Sequence, residues 1–116
     1  MSSVTVPFKM PDVFAGFAEG NGLAKASESE LTLEFVLKDS VLNVFKTDIK
    51  EIRIPRSEID TVHFRQGWFI NKLRIRVKSM RWLADLPGSD SGEVTLHVAR
   101  RDRAQAADLV HILASA

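Results

Sequence analysis

Four cations, Lys72, Arg74, Arg76 and Lys78, occupy alternate positions in the run Lys72-Leu73-Arg74-Ile75-Arg76-Val77-Lys78. On an extended strand, alternate side chains share one face and stand about 7 Å apart. Each like-charged neighbour then costs on the order of 0.6 kcal/mol even at the dielectric of water. Such a row calls for acids alongside it or for an anionic partner. Arg53, His63 and Arg65 add to the positive field, while Glu51 and Glu93 subtract from it. Two readings stay open. One is a solvated strand face paired across to glutamates. The other is an anionic surface, lipid headgroup or phosphorylated ligand held by Arg53, Arg65, Lys72, Arg74, Arg76 and Lys78.

A second kind of chemistry is contact rather than charge. Gly67-Trp68-Phe69-Ile70 falls at a turn between two alternating runs, where large apolar groups are poorly covered by their own hairpin. Trp68 and Phe69 either fold back over the core or serve as rigid anchors for a partner. The run Val41-Leu42-Asn43-Val44-Phe45 is apolar in what should be a connection, and connections normally run over the surface. Leu42, Val44 and Phe45 are therefore candidates for a subunit contact, the alternative being a long strand or a cover for an open end.

Catalytic and metal signatures are missing from the sequence. His63, His97 and His111 are far apart and none stands at ligand spacing from another histidine or a carboxylate, so no metal and no cofactor is expected. Glu58 and Asp60 fall in a turn with nothing to raise a carboxyl pKa. There is no nucleophile elbow, phosphate loop or dinucleotide fingerprint, and the expectation is a protein that is not an enzyme. An aromatic strand after Arg65 would suit RNA, but the βαββαβ order such a domain needs is absent, so no nucleic-acid partner is expected.

The elements that position these residues follow from hydrophobic period. Leu31, Leu33, Phe35 and Leu37 alternate with Thr32, Glu34, Val36 and Lys38, which reads as a strand with one dry face. Gly22 to Lys25 reads as a weaker strand before it. Ile52 and Ile54 face in until Pro55 ends their strand. Val62 with Phe64, then Leu73, Ile75 and Val77, then Val94, Leu96 and Val98 repeat the same period. Met80 to Leu86 holds a short element around Trp82 and Leu83. After Asp102 the period lengthens. Ala106, Leu109, Val110 and Leu113 make one helical stripe, with Asp102 and Gln105 spaced as a capping box. Residues 1–21 read as a lead-in in which Pro11-Asp12, followed by Val13, Phe14 and Phe17, opens one or two turns of helix, and residues 22–116 as the domain.

Length and composition bound the rest. A chain of 116 residues is one domain by size, and 45% apolar with 27% charged residues is ordinary for a globular protein. Sixteen basic residues against fifteen acidic give a net charge of +1, which argues for no particular class of partner. No apolar run approaches a membrane span, no secretory signal is visible, and the absence of cysteine suits a reducing cytoplasm.

Six or seven antiparallel strands closed by one helix resemble the pleckstrin homology-like (PH-like) superfold. Lys50-Glu51-Ile52-Arg53-Ile54-Pro55, Gly67-Trp68-Phe69, Asn71 to Val77 and Val98-Ala99-Arg100-Arg101-Asp102-Arg103 resemble, more narrowly, small bacterial PH-like proteins, over about residues 20–115. The resemblance implies about seven antiparallel strands in two near-orthogonal sheets, with the C-terminal helix plugging one end. Phosphoinositide-binding members carry Lys, then Lys/Arg-x-Arg, around the first hairpin. Here Lys25 is present but residues 31–34 supply no second cation, and the tryptophan common in the closing helix is absent. The implied function is accordingly a non-enzymatic binding or scaffolding module acting on protein partners, including its own copies as a homo-oligomer.

Overall fold

A computed structural model describes residues 3–13, 18–39, 49–86 and 89–114, with the backbone alone at 11–13, 18 and 39. Among these residues seven strands form one antiparallel sheet: β1 (Ser3–Val13), β2 (Ala18–Ser27), β3 (Glu30–Asp39), β4 (Lys50–Pro55), β5 (Ile59–Arg65), β6 (Asn71–Val77) and β7 (Glu93–Val98). Helix α1 (Arg103–Ala114) follows. No described helix is long and apolar enough to cross a membrane.

The expected period is what the sheet uses. Leu31, Leu33, Phe35 and Leu37 are buried on β3, and Leu73, Ile75 and Val77 on β6, while Lys72, Arg74, Arg76 and Lys78 stand outside. From α1, Ala106, Leu109 and Leu113 enter the same core. Fully burying side chains of this kind contributes about 1.5–3 kcal/mol each before the entropy of ordering is subtracted.

Two expectations are corrected. The N-terminal segment is a strand, not a helix-bearing lead-in: Val6, Phe8 and Met10 are buried and Pro11–Val13 is still extended. Its alternation with Thr5, Pro7 and Lys9 is interrupted by prolines, which rarely occupy a central strand. The structure explains the exception. β1 pairs with β2 along its length but with β7 only at Lys9 and His97, so beside Pro7 there is no β7 ladder for a missing N–H to break. Phe14 and Phe17 of the expected helix, and the 41–45 run with Leu42, Val44 and Phe45, lie outside the described residues.

The second correction concerns the sheets. There is one sheet rather than two, in the order β4-β3-β2-β1-β7-β6-β5, and no ladder joins its edges. Laid flat, seven strands would put β4 and β5 nearly 30 Å apart, at about 4.8 Å per neighbour. Yet only the single 3₁₀ turn Arg56–Glu58 separates them, a reach of about 14 Å at most. The sheet must therefore be rolled, and it is open only because β4 and β5 do not bond. Helix α1 packs its buried stripe, Ala106, Leu109 and Leu113, onto the roll and touches β1, β2 and β5, while its opposite face is exposed. The 3₁₀ turn Met80–Leu83 packs against β4, β6 and β7, and its Trp82 donates from Nε1 to Glu58 Oε1 at 3.0 Å.

Candidate functional site

The β5–β6 connection carries the most exposed large apolar groups among the described residues. Phe69 is 93% and Trp68 87% exposed, and neither folds back on the core. The loop beneath them is held by a buried amide. Asn71 is fully buried at the start of β6, in phase with Leu73 and Ile75. Its Oδ1 accepts from Gly67 N at 3.3 Å and from Arg103 Nε at 3.0 Å, and its Nδ2 donates to the Val98 carbonyl at 3.1 Å. The Nη2 of Arg103 donates to the Gly67 carbonyl at 2.7 Å. One side chain thus ties the tip to β7, and an arginine from α1 ties it to the helix. Gly67 sits so close to the Ile70 carbonyl that a Cβ there would strike it. The tip is a preset support for two aromatic rings.

Hollows lie on both sides of it. A groove of about 380 Å³ has Phe69 and Ile70 as one wall and Pro7, Phe8 and Val98 as further apolar lining. Lys9, His97, Arg101 and Asp102 also line it. Asp102 is 8% exposed; its Oδ2 has no hydrogen-bond partner among the described residues and lies 3.9 Å from Arg101 Nε. Immediately before α1, that carboxylate is favoured by the unpaired N–H groups of the first turn. On the other side, Trp68, Gln66 and Gly67 share a hollow of about 360 Å³ with Arg100 and Arg103.

The cations read from the sequence do not act as one set. Arg74 Nε and Arg76 Nη2 both reach Glu93, at 3.2 and 2.6 Å, because the β6–β7 register puts Arg76 opposite it. Arg53 is far along the strand order on β4, where it donates to Glu51 Oε1. That bond, then the charges of Glu51 and Glu30, raise its already high pKa. For these three the paired, solvated face describes the outcome. Replacing Glu93 with glutamine is expected to cost under about 1 kcal/mol, since the two ion pairs are more than half exposed on the arginine side. A thermal midpoint within a few degrees of wild type is the check; a larger fall would mean that Glu93 carries a structural duty.

Register assembles a different row that spacing along one strand does not reveal. Arg65 is opposite Lys72, Lys72 opposite His97, and His97 opposite Lys9. These four outward positions cross β5, β6, β7 and β1 at about 5 Å per strand. None of the ion pairs among the described residues involves Arg65, Lys72 or Lys9. The row runs from the foot of the aromatic tip to the groove. Asn71 was legible in part, as an amide at an inward position of the alternating run. Arg103 and Lys9 needed the tertiary structure. Among the described residues no three His, Asp or Glu side chains gather so as to hold a metal.

No family model, curated protein or solved structure matches this chain.

Proposed function

We propose that the chain is a non-enzymatic binding module on a PH-like scaffold, and that it engages protein partners through the Trp68–Phe69 tip. The seven-strand antiparallel order and the terminal helix packed against β1, β2 and β5 support the scaffold half of this reading. The observation that carries the functional half is the exposure of two neighbouring aromatic rings on a loop pinned by Asn71 and Arg103. A ring left in water forgoes about 1.5–3 kcal/mol of burial. A loop already ordered surrenders little further entropy when that burial occurs on a partner. Trp and Phe on a rigid base are therefore economical anchors. A second copy of the chain is among the partners this surface suits.

The test is panning of a random-peptide display library on the full chain. Peptides enriched on wild type are expected to lose binding to the Trp68→Ala/Phe69→Ala double variant by at least about tenfold, the loss of one anchor's burial. Both side chains are exposed, so the variant should keep its melting temperature. Enriched peptides that hold both proteins equally would defeat the reading. Light scattering of the same pair examines self-association, with a wild-type mass that rises with concentration and a variant mass that does not.

A further inference from the structure

We propose that the outer face of β5, β6, β7 and β1 beside the tip binds an acidic, extended protein segment. Its carboxylates lie along Arg65, Lys72, His97 and Lys9, and one large apolar side chain enters the groove walled by Phe69 and Ile70. The inference rests on the reading of the tip as a contact surface and names the chemistry of the partner.

Three features point to this occupant. Arg65, Lys72 and Lys9, with His97 between the two lysines, form a line rather than a converging cup. A phosphate or single headgroup is best held by donors that meet at a point, whereas a line of about 15 Å across four strands matches acids at alternate positions of an extended chain, about 7 Å apart. The glutamate of the neighbouring row, Glu93, is already shared by Arg74 and Arg76, so it does not neutralise the line. And the row ends at a concavity of about 380 Å³ with apolar walls. That is within the range of sites that enclose a ligand group. A bilayer surface would cover the tip and leave the groove empty; a peptide side chain fills it. Charge complementarity and shape thus select a protein segment over a lipid surface.

The experiment titrates the full chain against a labelled short peptide in which glutamates at alternate positions flank one leucine. Saturable binding that weakens as salt rises is expected. Lys9→Glu with Lys72→Glu should reduce affinity by about tenfold or more, and the milder Lys72→Gln by about threefold. Glu93→Gln should raise affinity about two- to fivefold by releasing Arg74 and Arg76. The same peptide with glutamine in place of glutamate should bind at least about tenfold more weakly. All four positions in the row are on the outer face, and circular dichroism and melting confirm that each variant is folded. Equal binding of the glutamate and glutamine peptides overturns the proposal, as does indifference to both lysine variants. So does tighter binding of phosphatidylserine–phosphatidylcholine vesicles, or of oligothymidylate, than of the acidic peptide. The tip is scored separately. If the library peptides need Trp68 and Phe69 while the acidic peptide ignores the lysines, the proposal fails and the tip reading stands. If the lysines matter and the tip does not, the tip reading fails.

Discussion

Asn71→Ala is expected to lower stability by about 2–4 kcal/mol, a fall in melting temperature of roughly 8–15 °C for a domain of this size. The figure comes from what the amide leaves behind. The Val98 carbonyl, the Gly67 N–H and the Arg103 guanidinium all lose a partner at once. An orphaned buried acceptor costs about 1–3 kcal/mol by itself. The Gly67 N–H and Arg103 are only partly buried, so water offsets part of their loss. Arg103→Ala should cost less, about 1–2 kcal/mol, and the two substitutions should be non-additive because they cut one network. Thermal melts of the two single variants and the double variant give the coupling directly. An Asn71→Ala loss below about 1 kcal/mol, or strict additivity, would mean that the tip is not held as described. The functional consequence is separate from stability. With Asn71 gone, Trp68 and Phe69 remain exposed but lose their fixed base, so peptide affinity should drop further than the folded fraction alone explains.

Gly22→Ala is expected to destabilise by a similar amount, about 2–4 kcal/mol. In most strand interiors alanine improves on glycine, because glycine gives up more backbone freedom. Here the sign reverses. A Cβ on Gly22 would strike the Glu34 carbonyl oxygen and would sit 2.7 Å from Phe8 Cζ and 3.0 Å from Phe35 Cα. Two of those neighbours are backbone of β3, to which Gly22 is paired opposite Phe35. They cannot rotate away, so the pair of strands must spread. Gly20, two residues earlier on β2, provides the control. A Cβ there meets chiefly Met10 Cε, at 2.5 Å, the far end of a flexible side chain that can swing aside. Gly20→Ala should therefore stay within about 1 kcal/mol of wild type. Urea denaturation of the two variants in parallel decides the matter. Equal midpoints would show that β2 and β3 part easily at Gly22, against the close approach described.

Strands with regular alternation were readable from the chain because the pleat translates period two into a buried and a wet face without reference to anything distant. Leu31 to Leu37, Leu73 to Val77 and Val94 to Val98 are of this kind, as is the α1 stripe. β1 escaped because prolines at 7 and 11 interrupt its donors, and only the absence of a β7 ladder beside Pro7 makes that harmless. The number of sheets was illegible for a related reason. A single residue pair, Lys9 with His97, joins what would otherwise be two halves, and no local pattern encodes such a seam. Trp68 and Phe69 were recognisable as candidates from their place in a turn, but burial versus exposure depended on Asn71 and Arg103 pulling the loop down beneath them. The cationic row shows the limit most clearly. Alternation along β6 drew attention to Arg74 and Arg76, which register then paired with Glu93. The row of Arg65, Lys72, His97 and Lys9 runs across the strands instead, and residues as remote as Lys9 and Arg65 enter it only once the register is known.

The seam between β1 and β7 also bears on how the chain is made. Lys9 leaves the ribosome almost 90 residues ahead of His97, and at ordinary synthesis rates that is a wait on the order of 5–20 s. β2 and β3 can zip onto one side of β1 within that time, since their hairpins are local and form in microseconds. Its other edge, which β7 later meets at Lys9, stays open to any nascent neighbour. An open strand edge is what templates aggregation, so a holdase that shields β1 until translation reaches β7 would act where the topology leaves that edge bare.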